Sequence, residues 1–221
     1  MTESEVSLVE SVFGGVKASA LEALCREDKS VDDLSSMMRI NKTAVNEHMD
    51  YLEKRGYVKS FFRNSGRGRP RKYFGLTEKG YELFPKKYSL FASLMVETLE
   101  EEFGSEKVGE LLDMVALKIL KSSAGDGFLH ADASREDKIR SLESFVSTLN
   151  RLGYYARLEV SGDKVRIVRS NCVFYELAKG HSGQICGVLE SGIIKRSTDA
   201  DFTIAEKFTD GSRKCVIELD I

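Results

Sequence analysis

Residues 41–76 read NKTAVNEHMDYLEKRGYVKSFFRNSGRGRPRKYFGL, and the apolar period changes once within them. Val45, Met49 and Leu52 recur at spacings of four and three, which predicts a helix from Lys42 to Arg55 with Gly56 as its stop. YVKSFF and YFGL are rich in aromatic and β-branched residues and read as two short strands. The intervening RNSGRGRPRK contains Gly66, Gly68 and Pro70, which do not suit a strand or helix, so it reads as a turn or loop. Upstream, Val16, Ala20, Leu21 and Leu24 line one face of a helix from Gly15 to Cys25. Ser30 is placed to cap VDDLSSMM, with Asp32 and Asp33 in the first turn. Three helices followed by a hairpin with a basic tip predict a winged helix-turn-helix over residues 1–76.

The third helix of such a fold presents its N-terminal polar residues to the major groove. Here those are Lys42, Thr43, Asn46 and Glu47. Asn46 has the donor and acceptor pair that reads adenine, and Lys42 and Thr43 can reach bases or phosphates. The hairpin carries Arg63, Arg67, Arg69, Arg71 and Lys72, with no acid from Phe61 to Tyr73. Glycines between arginines let such a loop follow a groove or a phosphate backbone. Taken singly, the polar run could be an ordinary solvated face and the Arg/Gly loop a linker. Their order within one short segment favours a double-stranded DNA operator as the partner.

Charge along the chain agrees. The net charge is only −2, yet residues 54–87 hold 11 basic against 2 acidic side chains, a local balance of +9 suited to a polyanion. Apolar residues make up 42% and charged residues 31%, ordinary values for a globular protein. No apolar run approaches membrane-spanning length, and the acidic MTESEVSLVE start lacks a secretion signal. These features predict a cytoplasmic protein with no membrane partner and with reduced thiols.

After the hairpin, Thr77 is placed to cap a helix reaching Phe84, and Pro85 to begin the next segment. Phe84, Tyr88, Phe91 and Met95 step at four, three and four, widened by Leu94 and Leu99. That seam suits either packing on the protein's own domain or, as favoured here, a homodimer contact. Residues 77–104 thus read as linker and dimerisation helices. Residues 105–221 read as an α+β sensor domain. Helices are predicted over Lys107–Lys121 and Arg135–Leu152, followed by a hairpin around SGD at 161–163, a helix in ICGVLESGIIKR and a second hairpin to the C-terminus.

That domain holds three of the four cysteines. Cys172 follows the first hairpin, Cys186 lies fourteen residues on, and Cys215 is on the last strand. If both hairpins share one sheet, the three thiols converge at its end. Three thiolates suit a soft metal or an iron–sulfur cluster, whereas three buried structural thiols are the alternative. A zinc ribbon would use paired CxxC units, and none exists. Cys25 sits at a core-like helix position. His130 and His181 have no serine or carboxylate constellation nearby in sequence, so nothing points to an enzyme.

GRGRPRKYFGLTEKGYELFPKKY, together with NCVFYELAKGH and the later cysteines, resembles the Suf-operon repressor family from about residue 15 to 221. The resemblance implies a homodimeric winged-helix repressor with an iron–sulfur cluster on Cys172, Cys186 and Cys215, 4Fe-4S rather than 2Fe-2S. Zinc, or no cofactor, is the alternative. Val173 replaces a proline common in the family, and residues 187–214 lack a further cysteine. A four-iron cluster would then need a fourth ligand, for which His181 is the nearest candidate. The competing reading keeps the architecture but senses a metal ion, an oxidant or a small organic ligand.

Overall fold

A computed structural model describes residues 8–64, 70–122, 134–198 and 200–221. The chain forms two compact units, Met1–Lys86 and Lys87–Ile221. Statements of absence below concern the described residues.

In the first unit, α1 (Leu8–Phe13) and α2 (Gly15–Arg26) precede a short strand β1 (Lys29–Ser30), α3 (Val31–Met38) and α4 (Lys42–Lys54). A hairpin of β2 (Val58–Arg63) and β3 (Arg71–Leu76) follows, then a single-turn helix α5 (Glu78–Tyr81). Leu21, Leu24, Leu34, Val45, Met49, Leu52 and Phe74 are fully buried in one core, as the helical spacings require. Cys25 packs half-buried against it. Ser30 caps α3 in both directions: Asp33 N–H donates to Ser30 Oγ at 3.2 Å, and Ser30 N–H donates to the Asp33 carboxylate at 2.9 Å. The Ser30 hydroxyl, donating to the Asp33 carboxylate at 2.6 Å, and then the Ser30 N–H hold the Asp33 carboxyl below its ordinary range.

β1 was not legible in sequence because two residues carry no period. Lys29 pairs with Phe74 and Ser30 with Tyr73, so the sheet has order β1-β3-β2. Phe84 joins the core of this unit, which corrects its assignment to the downstream seam. The burial of its ring is decided by the turn after α5, not by the heptad-like count.

The second unit opens with α6 (Tyr88–Phe103), α7 (Ser105–Ser122) and α8 (Arg135–Arg151). β4 (Ala156–Ser161) and β5 (Lys164–Arg169) form the first predicted hairpin, turning through Gly162 at φ 58°. After α9 (Tyr175–Gly180), α10 (Ser182–Gln184) and α11 (Ser191–Thr198) come β6 (Asp201–Glu206) and β7 (Cys215–Asp220). The two hairpins make one antiparallel sheet of order β4-β5-β7-β6, as the convergence of the cysteines requires. Leu142, Leu149, Ile167, Ile185, Ile194 and Ile217 are completely buried between this sheet and its helices.

One expected helix differs. Residues Ile185–Glu190, between α10 and α11, form a π-helical turn. Such a widened turn is rare and shifts the following side chains around the axis.

Candidate nucleic-acid interface and thiol site

On α4, Asn41 caps the N-terminus by accepting from Ala44 N–H at 2.8 Å. This cap fixes how the helix enters, and the Asn-Lys-Thr signal for it lay in the sequence unused. Lys42, Thr43 and Glu47 are exposed beside it, while Val45 and Met49 point into the core. Asn46 is half-buried and its Nδ2 donates to Lys42 O at 2.9 Å. Reading a base bidentately would require that intrahelical bond to break. Lys42 also pairs with Asp32 at 2.5 Å across the helix-turn-helix, with both side chains more than half exposed, a contact of little strength.

In the hairpin, Arg63 is held rather than free. It pairs with Asp28, and its guanidinium lies 4.9 Å from the Phe61 ring centre and 5.0 Å from that of Tyr73. Asp28 in turn abuts Gly75, where a Cβ would stand 2.3 Å from its Oδ1. Arg71 is exposed, and Lys72 lies over Phe74 at 4.8 Å. Arg67 and Arg69 lie outside the described residues. Gly80 seats α5 against the hairpin base: a Cβ there would come within 2.1 Å of Tyr57 O.

A family model, the transcriptional regulator PadR-like family, matches residues 28–86. The match spans β1, α3, α4, the β2–β3 hairpin and α5. Bacillus subtilis PadR, solved in complex with operator DNA, is 14% identical over 82% of this chain and 93% of its own, at a TM-score of 0.28. A MarR-family regulator from Enterococcus faecalis V583 is 27% identical over 48% of this chain and 94% of its own, at 0.28. BldR from Sulfolobus solfataricus is 21% identical over 47% and 73%, at 0.29. Superpositions this loose carry no functional argument, and no curated protein matches the chain. The PadR-like assignment covers the helix-turn-helix and hairpin and stops before α6. No helix among the described residues is long and apolar enough to cross a membrane.

The thiol site lies in the second unit. Cys215 opens β7 and is the cross-strand partner of Arg169, the last residue of β5. Cys172 follows three residues later, and Cys186 sits in the π-helical turn. All four cysteines of the chain are free. The three in this unit share one electrostatic neighbourhood: Cys215 and Glu190 both act on Cys172 and on Cys186. Burial pushes the Cys172 thiol up to about 11, against a bond from Phe174 N–H that favours the thiolate. Burial likewise raises Cys186, opposed in part by a bond from Thr209 and the charge of Lys207. Cys172 also borders a cavity of about 340 Å³ shared with Tyr88, Ser89 and Ala92 of α6 and with Val173 to Leu177.

Behind the thiols is a buried polar triad that sequence reasoning missed. Arg169 donates to Glu190, and Tyr154 Oη donates to the same carboxylate at 2.6 Å. Arg169 and Glu190 are 5% and 2% exposed. Burial opposes the Arg169 charge, but Glu190 and then Cys215 outweigh it, so the guanidinium is held more firmly protonated. Burial and Glu190 together push the Tyr154 hydroxyl up. Arg169 Nε is buried and has no hydrogen-bond partner.

His181 is placed elsewhere. Its Nε2 is 2.9 Å from Ser93 Oγ on α6 and its Nδ1 is 3.9 Å from the Glu100 carboxylate. It lines a separate, acid-rich groove with Glu106, Glu110 and Gln184, and it is not among the groups that act on Cys172 or Cys186. As placed, no group of three or more His, Cys, Asp or Glu among the described residues could hold a metal ion. Thiolates are the ligand type that a soft metal or cluster takes, but as placed the three do not form a ligand set. The three thiols come from three separate segments, and Arg169, whose Nε–H has no partner, is the Cα partner of Cys215 across the sheet.

Proposed function

We propose that the chain is a DNA-binding transcriptional regulator whose second unit responds to an iron–sulfur cluster held by Cys172, Cys186 and Cys215. The winged helix supplies the DNA contact: exposed Lys42, Thr43 and Glu47 at the capped end of α4, with Arg71 and Lys72 of the hairpin and, from the sequence, Arg67 and Arg69. Phosphate contacts by these cations give affinity, and α4 gives base preference. What supports the sensing half is that Cys215 acts electrostatically on both Cys172 and Cys186, thiols supplied by three separate segments of the second unit. When bound, a cluster supplies a redox- and iron-responsive centre. The chain's own part is to anchor it and to pass its presence to α6 through Val173–Tyr175, which share a cavity with Tyr88 and Ala92.

The same reading makes the regulator a homodimer. Tyr88, Phe91, Leu94 and Met95 run along α6 with 71%, 64%, 52% and 46% of their surface exposed. Met114 and Val115 of α7 are also exposed. A second copy of this chain would cover that apolar face, and light scattering on the purified protein measures it.

The deciding experiment for sensing is an anaerobic absorbance spectrum with iron and sulfide analysis, repeated on Cys172→Ser. A brown protein with iron and sulfide in fixed ratio, bleached by the substitution, supports the cluster. A colourless protein sinks it. A second reading then stands, in which the thiols answer an oxidant or a single thiophilic ion. The observation favouring it is the cavity that opens on Cys172 while the side chains are not gathered for a metal.

A further inference from the structure

The acid-rich groove of the second unit holds about 820 Å³, a size that takes a small molecule, and has no cysteine in its wall. That wall includes Glu100, Glu106, Glu110, Asp113, His181 and Gln184. Surface acids are ordinarily just a solvated face, and Glu106 also suits the dipole in the first turn of α7. Glu110 is already paired with Lys107, and Asp113 with Arg196. Gln184 is not explained in either way. It is 7% exposed. Its Nε2 donates to Glu100 Oε1 at 2.8 Å and to Ser105 O at 3.0 Å, which fixes the orientation of the amide. Oε1 is left buried with no hydrogen-bond partner. A buried acceptor in that state is rare and costly.

That oxygen faces two residues of the groove wall. A Cβ on Gly109 of α7 would stand 3.7 Å from Gln184 Oε1 and 3.8 Å from Val188 Cγ2, so the bare glycine leaves the oxygen uncovered on that side. Acceptors dominate here: the Gln184 carbonyl, the Glu100 carboxylate, and Glu106, which has no hydrogen bond or ion pair among the described residues. Such a set calls for a positively charged donor. The side chains are not gathered for a metal ion, so the cation is an organic one. Glu106, Glu110 and Asp113 follow at four and three residues along one face of α7. Neighbours at those spacings lie about 5–6 Å apart, close to the separation of two amines joined by a short aliphatic chain. We propose that the groove binds a linear aliphatic polyamine, with one ammonium on Gln184 Oε1 and Glu100 and the next on Glu106 and Glu110. Lys107 gives up Glu110 at little cost, because surface pairs are weak, while Asp113 stays with Arg196.

The test is calorimetric titration of the full-length protein, free of DNA and at low salt, with spermidine. Wild type should bind it saturably at one site per chain, and a neutral diol of matching length should not bind. Gly109→Ala puts a methyl over Oε1 at ordinary contact distance and favours the helix. It should fold at least as stably as wild type yet bind spermidine about 10- to 100-fold more weakly, the loss of one charge-assisted hydrogen bond. Glu106→Gln should weaken binding about 10-fold. Glu143→Gln, which changes an exposed acid on α8 outside the groove, should bind as wild type does. A wild-type protein with no saturable spermidine binding overturns the inference. So does a folded Gly109→Ala or Glu106→Gln variant with wild-type affinity. An equal loss in Glu143→Gln overturns it too, since that would show diffuse attraction to an acidic surface. Thiol chemistry enters none of these readouts, so the inference stands or falls apart from the cluster reading.

Discussion

The buried Arg169–Glu190 pair lets a double-mutant cycle measure what pairing is worth. Both side chains are nearly sealed from water, 6% and 3% exposed. Replacing Arg169 by Met strands the carboxylate with only the Tyr154 hydroxyl at 2.6 Å. Replacing Glu190 by Gln strands the guanidinium and removes its one charged partner. Breaking a buried pair from either side costs about 3–5 kcal/mol, because the survivor is an uncompensated charge. Independent effects would therefore sum to roughly 6–10 kcal/mol, comparable to the whole stability of a domain. With both replaced, no charge is buried and the new amide can still accept from Tyr154, so the loss should be far smaller than that sum, since removing both members of a buried pair is often near neutral. The cycle thus predicts a coupling of several kcal/mol. It is read from the unfolding of the second unit in urea, followed by circular dichroism on metal-free reduced protein. Additive single effects, or single substitutions costing under about 1 kcal/mol, would refute the view that the triad is a tightly sealed charge network.

Other outcomes follow from the winged helix. Gly80→Ala must push a methyl into Tyr57 O and Leu76 and should destabilise the first unit by about 1–3 kcal/mol, measurable by its thermal midpoint. Asp33 has a folded pKa below its ordinary 3.8, so its stabilisation is full above that value and is lost as pH falls through the lower folded one. Acid titration of wild type should therefore lose an increment of stability that Asp33→Asn does not show. Arg71→Ala should weaken binding to all DNA sequences and flatten the salt dependence by about one unit. Asn46→Ala should instead blur preference at one base pair, by about 1–3 kcal/mol, and an equal loss on every sequence would contradict a base contact.

The first unit was legible because its signals are local. Apolar spacing marked α2, α3 and α4, Ser30 and Thr77 were visible caps, and glycine and proline marked the wing. Each of these acts over a few residues of chain. Even there, tertiary packing intervened: Phe84 fell into the winged-helix core, and the two-residue β1 exists only because β3 offers it an edge. From Tyr88 onward the counted residues lie exposed along α6.

The thiol site divides the same way. Sequence alone determined which sulfurs were available, and the two hairpin patterns limited where they could go. The sheet order β4-β5-β7-β6 and the π-helical turn decided which segments carry these sulfurs to the same sheet and its helices, and His181 turned toward Ser93 instead. Arg169, Glu190 and Tyr154 carried no sequence signal, since an arginine at a strand end is ordinarily solvated. Their burial arises from contacts between residues 15 to 36 positions apart, and pairing across such distances is set by the packing of the whole sheet on its helices rather than by any local preference of the chain.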